Sequence, residues 1–368
     1  MSPAVMQVLH QGGGAGSVLS TLHLSLGLAR GGIRVVFVCP PDSEVDGLAR
    51  RAGLEVVPLA LERGRRRANA ARLAELLARR PVDLVNSQSA RDREALAWLK
   101  FTGRLPVPLV VTRRQMPRTF PLENWIVSRV AARVIAVSRV VGEALIRRGT
   151  PRRKLVVIPN GLIESRVDLP VDPAAVETWR QRMGSEPGRR TVGFVSRLKV
   201  QAVVLRALET VRTPVRLALI GVGPAELPSA LLARVPRRHA VVAVPFVSDV
   251  RPAYDLLELV LLPSSMEGLS QALLEAMALG KPVIASAAAG NLDLVTDAVD
   301  GRLVSPDDPA AWAAAIDQLL ADPDIASRLG ACARRTARET FALTRTVERT
   351  RDLYHAILRR PPLAQAAH

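Results

Sequence analysis

Short apolar runs alternate with longer amphipathic segments along nearly the whole chain. Runs bounded by Gly, Pro or polar residues predict strands, and the segments between them predict helices. Strands are expected first at Val5–Leu9, Val35–Cys39, Glu55–Val57, Leu84–Asn86, Leu109–Thr112, Val134–Val137 and Leu155–Ile158. A second series is expected at Thr191–Val195, Arg216–Ile220, Ala240–Val244, Leu256–Leu262 and Pro282–Ala285. This alternation favours parallel sheets with helices on both faces.

A break in the pattern separates the two strand series. Pro159-Asn160-Gly161 indicates a turn, and a polar, Pro-punctuated stretch follows from about Glu164 to Arg190. The pattern therefore predicts an α/β protein with two doubly wound, Rossmann-like domains facing each other across a cleft, where open α/β sheets bind ligands. We expect the domains at residues 1–165 and 166–345. A last helix is expected at about 342–359. The C-terminal segment 346–368, which contains most of this helix, is expected to pack back on the first domain.

Length and composition narrow the class of protein. A chain of 368 residues suits two domains, and a hydrophobic content of 48% excludes wholesale disorder. Cys39 and Cys332 form no metal pattern and no disulfide framework, so a reducing cytoplasm is expected. No apolar run approaches the roughly 18 residues of a membrane span, and the N-terminus lacks a signal-peptide pattern.

Positive charge is concentrated in the first half. The chain carries a net charge of +17, and residues 1–165 hold 26 Arg/Lys against 12 Asp/Glu, whereas the rest hold 25 against 22. This asymmetry favours an anionic partner such as an anionic membrane surface. The alternative is an Arg-rich composition, because the chain has only four lysines. Aromatic residues make up only 3% of the chain, which argues against single-stranded nucleic acid as the partner.

The most informative segment runs from Pro263 to Ala285. A helix is expected at Gln271–Leu279, with Ser270 as its N-cap and Gly280 as its stop signal. Glu275 is the only charge in this apolar helix, so the carboxylate is expected to be buried and to need hydrogen-bond donors. A ligand's hydroxyl groups would supply them, and so would an arginine elsewhere in the chain.

Glu267 and Glu275 lie eight positions apart within Pro-Ser-x-x-Glu-Gly-Leu-Ser…Glu-Ala-Met-Ala-x-Gly-x-Pro-Val-Ile-Ala. This segment resembles the signature of retaining GT-B glycosyltransferases, in particular family 4 (glycosyl transferases group 1). The resemblance implies that Glu267 acts at the donor sugar, and that Glu275 hydrogen-bonds the nucleotide ribose. It also implies that the backbone around Glu267 holds the sugar and its phosphates, at Gly268, Leu269 and Ser270.

Two glycine turns are further donor-side candidates. A glycine loop after the first strand lets a backbone approach a phosphate or sugar, although such turns are common in Rossmann-like sheets. Its best matches to the family are Gly13, Gly14 and Gly16. Gly221 and Gly223 resemble the family's Gly-x-Gly-Pro turn near the nucleotide, and a plain strand-to-helix turn explains them equally well.

Arg197 and Lys199 follow the first strand of the second half. By resemblance they clamp the donor diphosphate as catalytic residues, and otherwise they are solvated charges. This loop is shorter than the family pattern, and Val200 stands where a glycine commonly follows the lysine.

The acceptor-side candidates are Arg113, Arg114 and Asp92. Two arginines after a strand suit an anionic acceptor or a leaving phosphate, or they are solvated charges at a strand end. Ser87, Ser89 and Arg91 are secondary candidates. Family members often carry a histidine near the position of Arg113, and none of the five histidines falls there.

These features predict a cytoplasmic or membrane-peripheral hexosyltransferase acting on a nucleotide-diphosphate sugar and a lipid-linked or polysaccharide acceptor of the cell envelope. The resemblance implies retention of configuration, and in the family the leaving phosphate is thought to take the acceptor's proton. No Asp-x-Asp motif is visible, so neither a metal nor a separate cofactor is expected. The rival readings are a non-catalytic scaffold that binds a partner or an anionic membrane, a nucleic-acid-binding protein, and a sugar-nucleotide epimerase or hydrolase.

Overall fold

Two fully parallel sheets organise the chain. The computed structural model describes residues 2–14, 16–117, 121–184, 188–196, 202–247 and 249–359. The chain divides into one unit of residues 1–161 and 343–368 and a second unit of residues 162–342. Each unit contains one sheet.

The first unit has seven strands in the order β3-β2-β1-β4-β5-β6-β7. All neighbouring strands are parallel. Their bounds are β1 Ala4–Val8, β2 Arg34–Cys39, β3 Glu55–Pro58, β4 Leu84–Ser87, β5 Leu109–Arg113, β6 Arg133–Ala136 and β7 Leu155–Val157. The strands are rich in Val, Leu and Ile because both faces of the sheet are covered by helices.

The helices of the first unit form two layers. They are α1 Gly16–Arg30, α2 Glu44–Arg51, α3 Arg66–Arg79, α4 Ala90–Phe101, α5 Pro121–Val130, α6 Arg139–Arg147 and, at the end of the chain, α15 Leu343–Leu358. Helices α3 to α6 cover one face of the sheet, with Leu73, Leu96 and Val111 in the core. On the other face α15 packs beside α1 so closely that a Cβ on Gly27 would lie 2.4 Å from a Val347 methyl carbon.

The second unit has six parallel strands in the order β10-β9-β8-β11-β12-β13. Their bounds are β8 Arg190–Val195, β9 Val215–Ile220, β10 Ala240–Val244, β11 Leu259–Leu262, β12 Val283–Ser286 and β13 Arg302–Val304. Its helices are α7 Pro173–Arg182, α8 Ala202–Ala207, α9 Ser229–Leu232, α10 Arg251–Leu256, α11 Gln271–Ala278, α12 Asn291–Leu294, α13 Pro309–Ala321 and α14 Pro323–Thr340. Trp312 and Phe194 are fully buried in the core that includes α8 and α13.

The α/β class and the two Rossmann-like sheets expected from the sequence are confirmed. One strand begins later than expected: α10 runs to Leu256, and β11 starts only at Leu259. Only Glu258 interrupts the apolar run at this boundary, and a short buried helix and a strand share such a pattern. Strand β13 was not expected, because it has only three residues and begins with an arginine.

Candidate functional site

Each sheet has one point at which the strand order reverses. In the first sheet β1 and β4 are neighbours, and the chain continues outward from them in opposite directions. In the second sheet the equivalent neighbours are β8 and β11. Loops that leave the carboxyl ends of such strand pairs line the crevice in which open α/β sheets bind ligands.

The loop after β11 carries Glu267 and leads into α11. The turn before α12 fixes this loop in place, because the Gly290 N–H donates to the Glu267 carbonyl at 2.9 Å. A Cβ on Gly290 would lie 1.9 Å from the Gly268 carbonyl oxygen, so only glycine fits here. Asn291 adds two bonds from its Nδ2, to the carbonyls of Ser264 and Ser286, both at 3.1 Å. The backbone of the Glu267 loop is thus held firmly from the side of α12.

Helix α11 begins at the residue expected from the sequence. The Ser270 hydroxyl accepts from the Leu273 N–H at 3.3 Å, and Gly280 adopts φ +74° after the last turn. Near the carboxyl ends of β11 and β12, three buried oxygen atoms lack a hydrogen-bond partner among the described residues. They are Ser264 Oγ, Ser286 Oγ and Asn291 Oδ1. Buried polar atoms are normally satisfied, so these atoms mark a polar environment suited to a polar ligand or to water.

Glu275 is buried as expected, and its partner is Arg166. Arg166 Nε donates to Glu275 Oε1 at 2.5 Å, and the two side chains are 26% and 5% exposed. Burial raises the pKa of the Glu275 carboxyl, and Arg166 together with the Tyr254 hydroxyl opposes that rise. Burial disfavours the charge on Arg166, but Glu275 outweighs it and raises the pKa of the guanidinium. Of the two kinds of donor expected for the Glu275 carboxylate, the arginine elsewhere in the chain is therefore present.

The remaining second-unit candidates lie at or near other strand ends. Gly221 adopts φ +96° in a tight turn, and the N–H of Gly223 donates to Glu226 at 2.7 Å. A hollow of about 580 Å³ lies at the end of β10, lined by Arg182 and residues 243–247. It is two strands from the β8/β11 pair, so we centre the candidate site on the Glu267 loop instead. Arg197 and Lys199 lie outside the described residues.

In the first unit, the β1/β4 pair brings His10 next to Asp92. His10 Nδ1 lies 3.0 Å from Asp92 Oδ1 and 2.6 Å from the Ser89 hydroxyl. The carboxylate is fully buried and also accepts from the hydroxyls of Ser87 and Ser89 and from the N–H groups of Gln88 and Ser89. Burial alone would raise the pKa of Asp92, but the bonds from His10 and Ser89 prevail and lower it. Asp92 is therefore closed off from direct contact with a ligand, and His10 is the side chain that it orients.

The glycine loop after β1 is only partly open. Nothing lies within 4 Å of a Cβ placed on Gly13, whereas a Cβ on Gly14 would lie 2.9 Å from both carboxylate oxygens of Glu44. Gly16 is the first residue of α1. A carboxylate this close repels an anion, so the loop in this conformation suits a hydroxyl-bearing ligand better than a phosphate.

Arg113 and Arg114 are not brought together. Arg113 is the last residue of β5 and Arg114 follows it, and successive side chains of an extended chain point in opposite directions. Arg113 donates to Asn124 Oδ1 of α5 at 3.0 Å, and burial followed by repulsion from Arg93 lowers its pKa to about 9. Arg114 donates to Gln88 Oε1 at 2.9 Å and to Asn160, and burial lowers its pKa to about 10. A single anion bound by both guanidinium groups is not supported by this geometry.

A chain of buried amides links Arg114 to the C-terminal helix. Gln88 Nε2 donates to Gln7 Oε1 at 2.6 Å, and Gln7 Nε2 donates to the Tyr354 hydroxyl at 3.1 Å. Asn86 Nδ2 donates to the same hydroxyl at 2.6 Å. Helix α15 thus supplies a hydrogen-bond acceptor beneath the carboxyl ends of β1 and β4.

Sequence reasoning missed His10 and Arg166. A local signal did exist for the His10 cluster, because Ser89-x-x-Asp92 is a capping-box pattern and the structure has that box. Arg166 follows the turn at Pro159–Gly161 without any pattern that points to Glu275. Within the described residues, no group of three or more His, Cys, Asp and Glu side chains is placed to hold a metal ion.

Comparisons with known proteins agree with this architecture. A family model described as Glycosyltransferase Family 4 matches residues 13–166, and one described as Glycosyl transferases group 1 matches residues 189–322. A D-inositol 3-phosphate glycosyltransferase of Xylanimonas cellulosilytica is 32% identical over 243 residues, which cover 62% of this chain and 58% of that relative. The chain thus spans less than two thirds of the length of this relative.

Two further similarities complete the comparison. A lipopolysaccharide core biosynthesis mannosyltransferase of Rhizobium leguminosarum is 29% identical over 274 residues, covering 71% of this chain and 74% of that protein. The structure of Anabaena HepE in complex with UDP-glucose superposes with a TM-score of 0.81 at 19% identity, covering 96% of this chain and 100% of that one. The fold is therefore GT-B, and with one family model matching most of each unit, the chain belongs to the group 1, family 4-like glycosyltransferases.

Proposed function

We propose that this protein transfers a sugar from a nucleotide-diphosphate sugar to a hydroxyl group of an acceptor. The observation that carries the proposal is the Glu267 loop at the β8/β11 reversal, which is locked by Gly290 and continues into α11. The free N–H groups and the dipole of a helix N-terminus favour an anion such as a diphosphate. Preorganised donors of this kind stabilise the charge that develops on a leaving group.

The residues of this loop have distinct proposed roles. The Glu267 carboxylate orients the donor sugar, and the N–H groups of Gly268, Leu269 and Ser270 face its phosphates. The Glu275 carboxylate accepts hydrogen bonds from the ribose hydroxyls. A carboxylate has about four acceptor positions, so it can bind Arg166 and the ribose at the same time. Arg197 and Lys199 complete the clamp on the diphosphate. Retention of configuration and independence of a metal ion belong to the same proposal, through the family resemblance.

We place the acceptor at the β1/β4 reversal of the first unit. His10 is held there through Nδ1 by Asp92, and this contact fixes the imidazole tautomer when Nδ1 carries the proton. Nε2 then accepts a hydrogen bond from the acceptor hydroxyl. The lipopolysaccharide-core relative acts on an envelope glycan by its name, which supports a lipid-linked or polysaccharide acceptor here. Peripheral attachment to a membrane would bring the protein to such an acceptor.

The proposal is tested by thermal unfolding in the presence of UDP, GDP, ADP and TDP. A nucleotide at 100 times its dissociation constant adds about 2.7 kcal/mol to the free energy of unfolding. We expect one nucleotide to raise the midpoint of the wild type, and the shift to be lost in Glu275→Gln. Glu177→Gln, a surface variant in α7 of the same unit, is the matched control and should keep the shift.

The outcomes separate the proposed enzyme from its rivals. If none of the four nucleotides moves the midpoint, the donor site does not exist as proposed and the scaffold reading is favoured. If a nucleotide sugar binds but is only hydrolysed or epimerised whatever the acceptor, the sugar-nucleotide hydrolase or epimerase reading is favoured. Transfer to an added glycan acceptor, with the anomeric configuration of the product read by NMR, tests both transfer and retention.

A further inference from the structure

Helix α5 presents apolar side chains to solvent. Leu122, Trp125 and Ile126 are 67%, 44% and 38% exposed, and Arg129 is exposed one turn later. Positions 122, 125, 126 and 129 share one face of a helix, and we call these four residues the α5 stripe. A surface helix normally turns its polar face outward, so this pattern is inverted. Exposed apolar patches bordered by polar residues mark interaction surfaces.

Polar contacts on the inner face hold α5 in this orientation. Asn124 Nδ2 donates to Thr150 Oγ1 at 2.8 Å and to the Arg148 carbonyl at 3.1 Å. The Ser128 hydroxyl lies 2.9 Å from the same Thr150 oxygen. Asn124, Ser128 and Thr150 are all buried. Rolling the stripe inward would expose these bonded groups and break their contacts, so the outward position of the stripe is set by the packing.

A band of positive charge borders the stripe. Residues 121–154 contain eight Arg/Lys and two Glu. Lys154 Nζ donates to the last carbonyls of α5, and burial, followed by repulsion from neighbouring arginines, lowers its pKa to about 8. A Cβ on Gly149 would lie 3.4 Å from Trp125, so the turn after α6 lies directly beside the stripe. The exposed arginines of this neighbouring segment are Arg147, Arg152 and Arg153.

Charge and apolar surface together identify the kind of partner. The Arg129 guanidinium stacks over the Trp125 ring at 5.0 Å from its centre. Trp beside Arg is typical of the interfacial region of a bilayer, where the ring enters the headgroup layer and the cation meets lipid phosphates. Leu122 and Ile126 supply apolar area that a nucleic acid would leave unused. Amphipathic surfaces with apolar and Arg-rich parts lie in the plane of anionic membranes.

We propose that the α5 stripe and Arg147, Arg152 and Arg153 form a docking surface for an anionic lipid bilayer. The described helices include none long and apolar enough to span a membrane. The inference depends only on the first unit and on no assumption about the reaction. Failure of the proposed activity would leave it intact, and the reverse also holds.

The test is binding of the full-length protein to sedimented vesicles. We expect binding to vesicles of phosphatidylcholine with phosphatidylglycerol, little binding to phosphatidylcholine alone, and release by high salt. Trp125→Ser combined with Leu122→Ser should weaken the partition coefficient at least about tenfold, because two buried apolar side chains are lost. Arg152→Gln with Arg153→Gln should weaken it roughly 25-fold, about fivefold for each arginine.

Matched variants in the second unit control for general effects. Leu169→Ser removes an apolar residue that is 54% exposed, and Arg334→Gln with Arg335→Gln removes an adjacent pair of exposed arginines. Both should bind like the wild type, and circular dichroism should show all variants folded. The proposal is overturned if the wild type ignores the anionic vesicles, or if the controls lose as much binding as the stripe variants. A concentration-dependent dimer abolished by Leu122→Ser, without vesicle binding, would assign the stripe to a second copy of the chain.

Discussion

The two partners of the Arg166–Glu275 pair should differ in how much stability is lost when each is replaced. Arg166→Gln leaves a carboxylate that is 5% exposed without its cation, whereas Glu275→Gln leaves a guanidinium that is 26% exposed and still faces an amide oxygen. Removing one partner of a buried ion pair costs about 3–5 kcal/mol, mainly because the remaining charge stays out of water. We expect about this loss for Arg166→Gln. For Glu275→Gln we expect about 2 kcal/mol, the value of a charge-assisted hydrogen bond.

The pH dependence supplies an independent check with a definite sign. Without Arg166, burial is opposed only by the Tyr254 hydroxyl, so the pKa of the Glu275 carboxyl rises further above the value in the unfolded chain. Between these two pKa values the folded state binds more protons than the unfolded state. The free energy of unfolding therefore falls as the pH rises through this window. The deficit of Arg166→Gln relative to the wild type should be smaller at acidic pH than above neutrality.

Urea unfolding of the wild type, both single variants and the double variant measures these values as a double-mutant cycle. The double variant removes both charges, so it should be more stable than Arg166→Gln alone. This requires a coupling energy above about 2 kcal/mol, the loss expected for Glu275→Gln. The reasoning is refuted if the two single variants lose equal stability and their losses simply add. It is also refuted if the Arg166→Gln deficit does not change with pH.

Three further predictions use other contacts. Gly290→Ala should abolish the nucleotide-dependent shift in the unfolding midpoint, because its Cβ would lie 1.9 Å from the Gly268 carbonyl and displace the loop. Tyr354→Phe should lower the free energy of unfolding by about 1–3 kcal/mol in urea titrations, because two buried amide donors lose their acceptor. Asp92→Asn should raise KM for the acceptor while the donor still binds, with the tautomer of His10 read by nitrogen NMR; an unchanged KM and tautomer would remove His10 from the acceptor site.

Local pattern accounted for most of the fold. The strand Ala240–Val244 agrees with the sequence expectation residue for residue, and α11 differs from it only at the last residue. Both are flanked by residues that begin or end an element, such as Pro245 after β10 and Ser270 and Gly280 around α11. The misplaced start of β11 falls where such flanking residues are absent. The apolar run that begins at Leu256 contains the end of one element and the start of the next, and periodicity does not separate them.

In the candidate site, residues close together in the sequence could be predicted, whereas partners distant in the sequence could not. Glu267 and Glu275 share one loop and helix, so their spacing along the chain carried the prediction. Arg166 is 109 residues from Glu275, and the sequence offered only the statement that a buried carboxylate needs a donor. That argument fixes the chemistry of the partner but leaves its position open.

His10 shows which additional information would have been enough to predict a distant partner from the sequence. It lies 82 residues from Asp92, and the two meet because β1 and β4 are neighbours although two strands separate them along the chain. The position near Arg113, where the family often carries a histidine, follows β5, which is one strand further along the sheet than the reversal point. In a doubly wound sheet, the chain continues in opposite directions from two neighbouring strands, here β1 and β4. The residues that follow these two strands therefore lie close together. Strand order, applied to the Ser89–Asp92 capping box, would therefore have selected His10 as its partner before any coordinates were known.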